Sequence, residues 1–525
     1  MRPRATALPL LFAIGLTLAS AVAAPAAVAA GAATGPRLRS LDGERATPLE
    51  LARAAQASEK GALLRLAGLR DAEGRPLTLA LERGSVFAPG FKLYVDGRET
   101  PTDAPARLIY LHGTAEEWPG SSVAIGLDAR SGGGSGMLVT SGGAFEISLP
   151  AAAKGTLAAV LSVQRADLGG VPRGFVNDVL EPPGTPAEKA AITAAAKRVI
   201  PAPGGIFGAT LAVETDHEFL AGTTVEAATT LVHNTIATVS ELFERQLGVP
   251  LAIASLSLYP DESDPWNAPN PHTGDRAEVL CEFASFWQAH RPVAAFPRNA
   301  GLFFTGKDSF QISGQAWRAS LCNFSAHNSA CPFGGYAIVV RSRFGGLSVL
   351  TTAHELGHVF GSQHTHCYHP EIDQCYGAEA GCYAGPESRP EDGGSVMSYC
   401  NPSAMSLGEP GLYGNQSERV IGVIRSFVDR VAPSCLGRVN DPYALAAVAA
   451  DDSATLTWVD PFGNETAWSV EQLVRNKWKQ VKALPANSTT VTIGNLKAGD
   501  NSFRVRAKIR RDVSDYSAVV TVTIE

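Results

Sequence analysis

HELGHVFGSQH, residues 354–364, places three histidines, a glutamate and a glycine in one short stretch. The surrounding periodicity is helical, so His354 and His358 lie one turn apart, about 6 Å along the axis and on the same side. A continuing helix would carry His364 about 9 Å further and roughly 240° around the axis. Gly361 can take the positive φ that ends a helix, which lets the chain bring His364 back to the other two.

Three imidazoles at one point predict a catalytic metal centre. They leave a tetrahedral Zn²⁺ with one open position for water, which is typical of catalytic rather than structural zinc. Glu355 lies about 100° around the predicted helix (347–360) from the first ligand, where it can face that water without binding the metal. We therefore expect one Zn²⁺ on His354, His358 and His364, with Glu355 as the general base.

The composition excludes one class of partner. The chain has 525 residues, enough for about three domains. It carries 44 Lys plus Arg against 51 Asp plus Glu, a net charge of −7. Because no long run of one sign occurs, the basic surface of a nucleic-acid-binding protein is missing. We expect no nucleic-acid partner.

The first residues are typical of an export signal. Arg2 and Arg4 precede a short apolar run, and Ala23 or Ala24 ends a small-residue cleavage site. A signal over residues 1–24 predicts a secreted protein, with the periplasm as the alternative. The apolar run is shorter than the ~20 residues that cross a bilayer, so we expect no membrane anchor after the signal is removed.

The cysteines are confined to one part of the chain. All eight occur at positions 281, 322, 331, 367, 375, 382, 400 and 435. In an exported protein an even number within one region predicts up to four disulfides in a single domain, with the pairing left open. A cysteine-bound zinc is the alternative, but no C-x-x-C pair is present.

Changes of pattern divide the rest of the chain into four segments. Short alternating runs over 36–180 predict a mostly-β unit, and a segment rich in Pro and Gly over 181–206 reads as a linker. Strands alternating with a long helix predict an α/β domain over 207–437. Short alternating strands over 438–525 predict a β-sandwich.

Individual elements are predicted within the α/β domain. Hydrophobic periodicity indicates a helix over 224–247 and strands over 209–214, 251–258, 301–305 and 336–341.

Beyond the histidines, the sequence resembles the metzincin metalloproteases. Gly393-Gly-Ser-Val-Met397-Ser-Tyr399-Cys400 is similar to the Met-turn that lies beneath the zinc in that clan. Phe-Gly-Ser-Gln-His followed by the cysteines looks most like the reprolysin (adamalysin) branch, in a bacterial-type secreted form. The likeness implies a mixed five-stranded sheet with long helices, and a zinc-dependent endopeptidase acting on proteins or peptides.

The resemblance also has implications for single residues, and the sequence departs from the reprolysin pattern at two positions. Tyr399 resembles the tyrosine of astacin and serralysin turns, which can ligate zinc and stabilise the oxyanion; packing is the alternative. Thr365 stands where reprolysins usually have an acidic residue, which leaves the subfamily open. His366 and His369 lack the spacing to complete the site and read as loop residues. The family's edge strand corresponds to residues 315–319, which would align an extended peptide substrate.

The region before the linker weakly resembles reprolysin prodomains and implies a zymogen. It contains no cysteine to block the zinc, so latency is expected from steric cover or from a carboxylate such as Asp96 or Asp103. Lys197-Arg198 in the linker is either a processing site or part of a solvated helix.

The tail resembles a fibronectin type III module, through Leu456-Thr-Trp458 and Phe503-Arg-Val-Arg-Ala. Such modules act as spacers or bind surfaces and polymers. The alternative function is therefore a non-catalytic adhesion protein that uses the metalloprotease fold and this tail. An intact Glu355 argues against it, because a binding protein does not need the base.

Overall fold

The computed structural model describes most of the chain after residue 38. The described residues are 39–43, 45–58, 64–140, 143–151, 162–165, 178–181, 207–268, 278–307, 313–324, 331–341, 345–388, 394–400, 419–438, 443–459, 466–486, 488–509, 512–514, 516–517 and 519–524. The predicted export signal and Lys197-Arg198 lie outside them. Within these residues, no helix is both long enough and apolar enough to cross a membrane.

The region before the predicted linker is mostly β-structure. Its strands are β1 (Arg39–Asp42), β2 (Leu64–Arg70), β3 (Pro76–Gly84), β4 (Phe87–Val95), β5 (Arg98–Thr100), β6 (Leu108–Ala115), β7 (Ser122–Asp128), β8 (Gly134–Thr140), β9 (Gly143–Leu149), β10 (Ser162–Arg165) and β11 (Val179–Leu180). Its helices are α1 (Pro48–Ala57) and α2 (Ala104–Arg107). Eight of the strands form one sheet, in the order β1-β2-β3-β6-β7-β8-β9-β10.

Helix α1 covers a face of this N-terminal sheet. Thr47 caps the start of the helix. Its side chain accepts from the Glu50 amide and the Glu50 side chain accepts from the Thr47 amide, so these two backbone donors are satisfied. Leu51 and Ala55 then pack with strand residues such as Phe145 in a separate apolar core.

The α/β domain follows with alternating helices and strands. Its elements are β12 (Phe207–Thr215), α3 (His217–Leu220), α4 (Val225–Leu247), β13 (Leu251–Leu258), α5 (Glu278–His290), β14 (Ala300–Thr305), β15 (Gly314–Trp317), β16 (Tyr336–Val340), α6 (Gly345–Val359), a short 3₁₀ helix (Thr365–Cys367), α7 (Val420–Cys435) and β17 (Gly437–Arg438). The predicted strands and long helix are confirmed here, with shifts of one or two residues at their ends.

Strands β12 to β16 form a mixed five-stranded sheet. The order is β15-β16-β14-β12-β13, and β15 alone of these five runs antiparallel to its neighbour. Strands from the N-terminal region extend both edges: β11 pairs in parallel with β15, and β4 pairs in parallel with β13, followed by β5. The last short strand, β17, pairs with the start of β12.

The addition of β4 to this sheet departs from the sequence prediction, which placed all of 36–180 in one β unit. Phe87 and Leu93 are buried in the same apolar core as Ile253 and Leu256 of β13. Pairing with β4 also satisfies the backbone of β13, which would otherwise present an open edge. The alternation that predicted a strand does not reveal which sheet the strand joins.

Helix α4 lies between the α/β sheet and the N-terminal sheet. It starts at Thr224, which accepts from the Ala227 amide, and ends at Gly248 with φ 67°. Asn234 donates to Ser135, and Tyr110 donates to Glu241. Polar side chains of α4 are therefore buried because the N-terminal sheet covers and pairs with them.

Four disulfides join the cysteines of the α/β domain, as the count predicted. They are Cys281–Cys331, Cys322–Cys435, Cys367–Cys382 and Cys375–Cys400. No cysteine is free, so the alternative of a cysteine-bound zinc is wrong. Two of the four bridges tie down the chain that follows the histidine stretch.

The last segment forms two packed sheets. Its strands are β18 (Tyr443–Ala450), β19 (Ser453–Val459), β20 (Ala467–Val474), β21 (Lys477–Pro485), β22 (Thr490–Ile493), β23 (Gly499–Ile509), β24 (Asp512–Val513) and β25 (Val520–Ile524). One sheet has the order β18-β19-β22 and the other β21-β20-β23-β24, with β25 also on β23. Trp458 and Trp468 meet between them, with ring centroids 5.4 Å apart.

The disulfides make a stability prediction. Cys322 and Cys435 are 113 residues apart, whereas Cys367 and Cys382 are 15 apart. Closing the longer loop restricts the unfolded chain more, so replacing Cys322 and Cys435 by serine lowers the unfolding free energy by about 4–5 kcal/mol, against about 3 kcal/mol for the shorter loop. Urea denaturation of both double variants measures this, and an equal or smaller loss for the long loop contradicts it.

Candidate metal centre

Helix α6 and the turn after it bring the three histidines together. The helix ends at Val359, and Gly361 follows with φ 106°, a left-handed conformation that favours glycine. A Cβ on Gly361 would lie 3.1 Å from the Cβ of Phe427 on α7, so the tight packing here also favours glycine. The chain then turns back and places His364 beside the helix.

The imidazoles of His354, His358 and His364 converge through their Nε2 atoms. The Nε2 of His358 is 3.0 Å from that of His354 and 3.2 Å from that of His364. Three ligands at 2.0–2.1 Å in a tetrahedron around zinc are about 3.3–3.4 Å apart. The spacing of the nitrogens therefore fits a zinc ion.

The other ring nitrogens explain which tautomer each histidine holds. The Nδ1 of His354 lies 2.6 Å from the carbonyl of Val396, and that of His358 lies 2.9 Å from the carbonyl of Ser362. A carbonyl only accepts, so both Nδ1 atoms carry the proton and both Nε2 lone pairs face inward. Burial also lowers the pKa of His358 to about 4, which keeps its ring neutral. Converging nitrogens of this kind, with the outer nitrogens held by acceptors, are suited to binding a metal ion.

His364 is held by a carboxylate that the sequence analysis missed. Glu379 lies 2.8 Å from the Nδ1 of His364 and 2.8 Å from the Nε2 of His366. Despite burial, the charge of His364 and hydrogen bonds from both histidines hold the pKa of this carboxyl below its usual range. A carboxylate on the outer nitrogen orients a metal-binding histidine and increases its basicity.

The interpretation of His366 as a loop residue is therefore incomplete. Its side chain is fully buried, and its ring stacks on that of His364 with centroids 5.2 Å apart and planes 8° apart. It lies outside the three-histidine cluster, yet it helps to hold Glu379. Glu379 comes fifteen positions after His364, beyond a short 3₁₀ helix and a loop, so no local pattern predicts the pair. His369 is exposed, as expected of a loop residue.

Glu355 is buried beside the three histidines without a partner. Neither of its carboxylate oxygens has a hydrogen-bond partner in the described part of the chain. Burial, and next the charge of Asp178, raise the pKa of this carboxyl well above its usual value. A Cβ on Gly314, the first residue of β15, would lie 2.5 Å from Oε1 of Glu355. Glycine at this position therefore leaves the space that the carboxylate occupies.

The Met-turn lies against the histidine cluster. Met397 is fully buried, and its carbonyl accepts from the amide and the hydroxyl of Thr365. Thr365 thus joins the third histidine to this turn by hydrogen bonds, whereas an acidic residue would need a cationic partner. The Tyr399 ring lies 4.4 Å from that of His364, centroid to centroid, which places its hydroxyl at the site.

The N-terminal region inserts a carboxylate into the centre of the site. Oδ1 of Asp178 lies 2.7 Å from the Nε2 of His364 and 3.7 Å from that of His358, and Oδ2 lies 3.6 Å from that of His354. The Tyr399 hydroxyl donates to Oδ1 across 2.9 Å. Asp178 is thus the fourth member of a buried group able to hold a metal ion.

Two aspartates proposed from sequence as blocking groups lie elsewhere. Asp96 lies in the turn between β4 and β5, where its amide donates to the carbonyl of Leu258. Asp103 forms an exposed ion pair with Arg130. Neither aspartate meets the histidines: among the described residues of the N-terminal region it is Asp178, directly before β11, whose carboxylate lies at the histidines, because β11 pairs with β15.

The comparisons with known proteins agree with this geometry. Residues 209–407 match the family model Reprolysin_5, described as metallo-peptidase family M12. The matched region contains the three histidines, Glu355, Met397 and Tyr399. The match supports a metzincin-like zinc metalloprotease, a class that acts on proteins or peptides. No curated protein matches the chain.

Several solved structures are similar to a small part of the chain. Domains A168–A170 of titin are 25% identical over 16% of this chain, with a TM-score of 0.15, and the chain covers 31% of their length. A protein named FN3tt mut is 14% identical over 16% of this chain and 93% of its own, also with a TM-score of 0.15. The twitchin kinase region from C. elegans is 22% identical over 16% of each chain, again at 0.15. At this TM-score these likenesses carry no argument.

The contact between Glu379 and His364 predicts metal affinity. Glu379→Gln keeps the size of the side chain but removes its charge, so we expect about 10- to 100-fold weaker zinc binding, because loss of an outer-shell partner typically has this effect. Competition with a fluorescent zinc chelator measures the affinity. Glu371→Gln is the control, since the half-buried Glu371 accepts from Gln374 and from its own backbone amide rather than from a histidine of the cluster. Equal affinity for both variants contradicts the prediction.

Proposed function

We propose that this protein is a secreted zinc-dependent endopeptidase that is made as a zymogen. The observation that carries the proposal is the convergence of three imidazole Nε2 atoms beside the buried Glu355 carboxylate, which has no hydrogen-bond partner among the described residues. Secretion rests on the export signal read from the sequence. The C-terminal sandwich remains a predicted spacer or surface-binding module.

His354, His358 and His364 would hold the zinc. When bound there, zinc supplies Lewis-acid polarisation of the scissile carbonyl and a pKa of about 7 for water in the open position. The carbonyls of Val396 and Ser362 and the Glu379 carboxylate keep the three rings oriented, through the hydrogen bonds described above.

Glu355 is the proposed general base. Its carboxylate accepts a proton from the attacking water and returns it to the nitrogen of the leaving amine. The free oxygens of Glu355 and the space left by Gly314 support this role. Burial raises the pKa of Tyr399 well above its usual value, so its hydroxyl keeps a proton to donate. We propose that this proton stabilises the oxyanion once Asp178 has left.

The outer edge of β15 is the proposed substrate-binding strand. Its backbone already binds an extended peptide, since the amide of Ala316 donates to Asp178 and the amide of Arg318 donates to Leu180. A substrate can use the same donors when that peptide is absent. Pairing of this kind positions the backbone and leaves the choice of side chain to neighbouring residues.

Latency is proposed to come from Asp178. Its carboxylate lies where water and the substrate carbonyl would have to enter, and it shares the inward-facing histidine nitrogens. Displacing it requires that residues 178–181 leave β15. Cleavage in the predicted linker, at Lys197-Arg198, would separate these residues from the α/β domain and allow them to dissociate.

The general base can be tested by charge removal. In chain activated by cleavage of the linker, Glu355→Gln lowers kcat for casein or gelatin hydrolysis by about 10²- to 10⁴-fold, because no group then takes the proton from water. A zinc chelator abolishes the remaining activity, and added zinc restores that of the unmodified protein. If Glu355→Gln retains full activity, or a biological effect persists without hydrolysis, the non-catalytic alternative is the better reading.

The latch can be tested in intact chain. Asp178→Ala removes the carboxylate from the histidines, so we expect the activity of the uncleaved protein to rise about tenfold or more. Each 1.4 kcal/mol by which the substitution weakens binding of the latch to the site raises the ratio of open to blocked sites tenfold. Asp103→Ala is the matched control, because Asp103 pairs with exposed Arg130 instead. Initial rates on casein compare the two. Equal, low activity in both variants would show that steric cover alone maintains latency.

A further inference from the structure

The strand that blocks the site carries a second acidic residue, Glu181, three positions after Asp178. We call residues 178–181 the latch segment. Both oxygens of Glu181 bind Arg318: Oε1 lies 2.6 Å from Nε and Oε2 lies 2.6 Å from Nη2. This bidentate geometry matches a guanidinium to a carboxylate and is the strongest form of such an ion pair.

Arg318 depends on the latch segment for its charge partner. Its side chain is 4% exposed, and Glu181 is the carboxylate that forms an ion pair with it among the described residues. Its Nη1 is buried without any partner in that part of the chain. When the latch segment leaves, a guanidinium therefore stands at the edge of the cleft with three unsatisfied donor nitrogens.

An exposed ion pair between the same parts of the chain has a different character. Arg130 binds Glu226 across 2.9 Å, with 63% and 57% of the two side chains exposed. Such exposed pairs contribute little and are satisfied by water on separation. A guanidinium covered by a peptide in the cleft requires a matching charge, because an unpaired buried ion is costly.

The register places this charge within reach of a substrate. Val179 is opposite Ala316 and Leu180 is opposite Trp317, so Glu181 follows opposite Arg318. Residues opposite each other in paired strands project to the same face. A peptide on the same edge of β15 would place a side chain beside Arg318 about three residues, or roughly 10 Å, from the residue at the metal.

We infer that Arg318 selects substrates with an Asp or Glu side chain about three residues from the scissile carbonyl, in the place that Glu181 now occupies. This inference rests on the proposed function and specifies its substrate class. Antiparallel pairing is the more stable arrangement. A substrate running antiparallel to β15, opposite to the latch segment, carries the acidic residue before the scissile bond.

The test compares acidic and neutral peptides. Full chain is cleaved in the linker, and kcat/KM is measured on a peptide library varied at each position, with Asp and Glu against Asn and Gln. We expect kcat/KM to be about tenfold or more higher for the acidic residue than for its amide at one position of the peptide. That position lies on the side of the scissile bond that pairs with the end of β15. Arg318→Gln removes the preference, and Arg318→Glu shifts it to Lys or Arg.

Two controls separate the possible failures. Arg130→Gln loses an ion pair between the same two regions but should keep the acidic preference. A second measurement needs no hydrolysis. Fluorescence anisotropy measures how tightly the Glu355→Gln, Asp178→Ala double variant binds labelled peptides that carry Asp or Glu, compared with peptides that carry Asn or Gln. Hydrolysis without acidic preference, or a preference that survives Arg318→Gln, overturns the inference. Absence of any hydrolysis counts against the proposed function, and the anisotropy titration then decides the inference alone.

Discussion

The rest of the site depends on one arrangement: three imidazoles turn their Nε2 atoms toward a single point, which Asp178 occupies in this structure. The carbonyls of Val396 and Ser362 and the carboxylate of Glu379 each bind one outer ring nitrogen. The Met-turn, the turn at Gly361 and the disulfides after the histidine stretch all fix these acceptors in place. These outer contacts orient the three Nε2 atoms toward the position that a metal ion would take.

The N-terminal region completes the α/β domain as well as covering it. It supplies the strand beyond β13, buries polar residues of α4 and places the latch segment on β15. These contacts have different strengths, because the interface on α4 is extensive while β11 has only two residues. In the proposed mechanism, loss of the short strand alone opens the site while the rest of the N-terminal region stays on the domain.

The local parts of the site could be predicted, and the distant ones could not. His354, His358 and His364 lie within eleven residues, so helix geometry and one glycine suffice to bring them together. Asp178 lies 186 residues before His364, and nothing near it in sequence distinguishes it from Asp96 or Asp103. Its role depends on which edge of the sheet the chain passes. Glu379 was missed because it lies fifteen positions beyond His364, and the role of His366 was missed because it depends on contact with Glu379.

By itself the sequence predicted the histidine cluster, the glutamate beside its first member and the first strands and long helix of the α/β domain, because these depend on spacing along one or two elements. The count of cysteines predicted up to four disulfides. Only the tertiary structure decided the cysteine pairing, the sheet that β4 joins, the carboxylate that meets the histidines and the partner of Arg318. Each of these is a contact between residues far apart in the chain. Hydrophobic alternation says that a strand is buried on one face, whereas edge pairing depends on which backbone donors remain open once the sheet has formed.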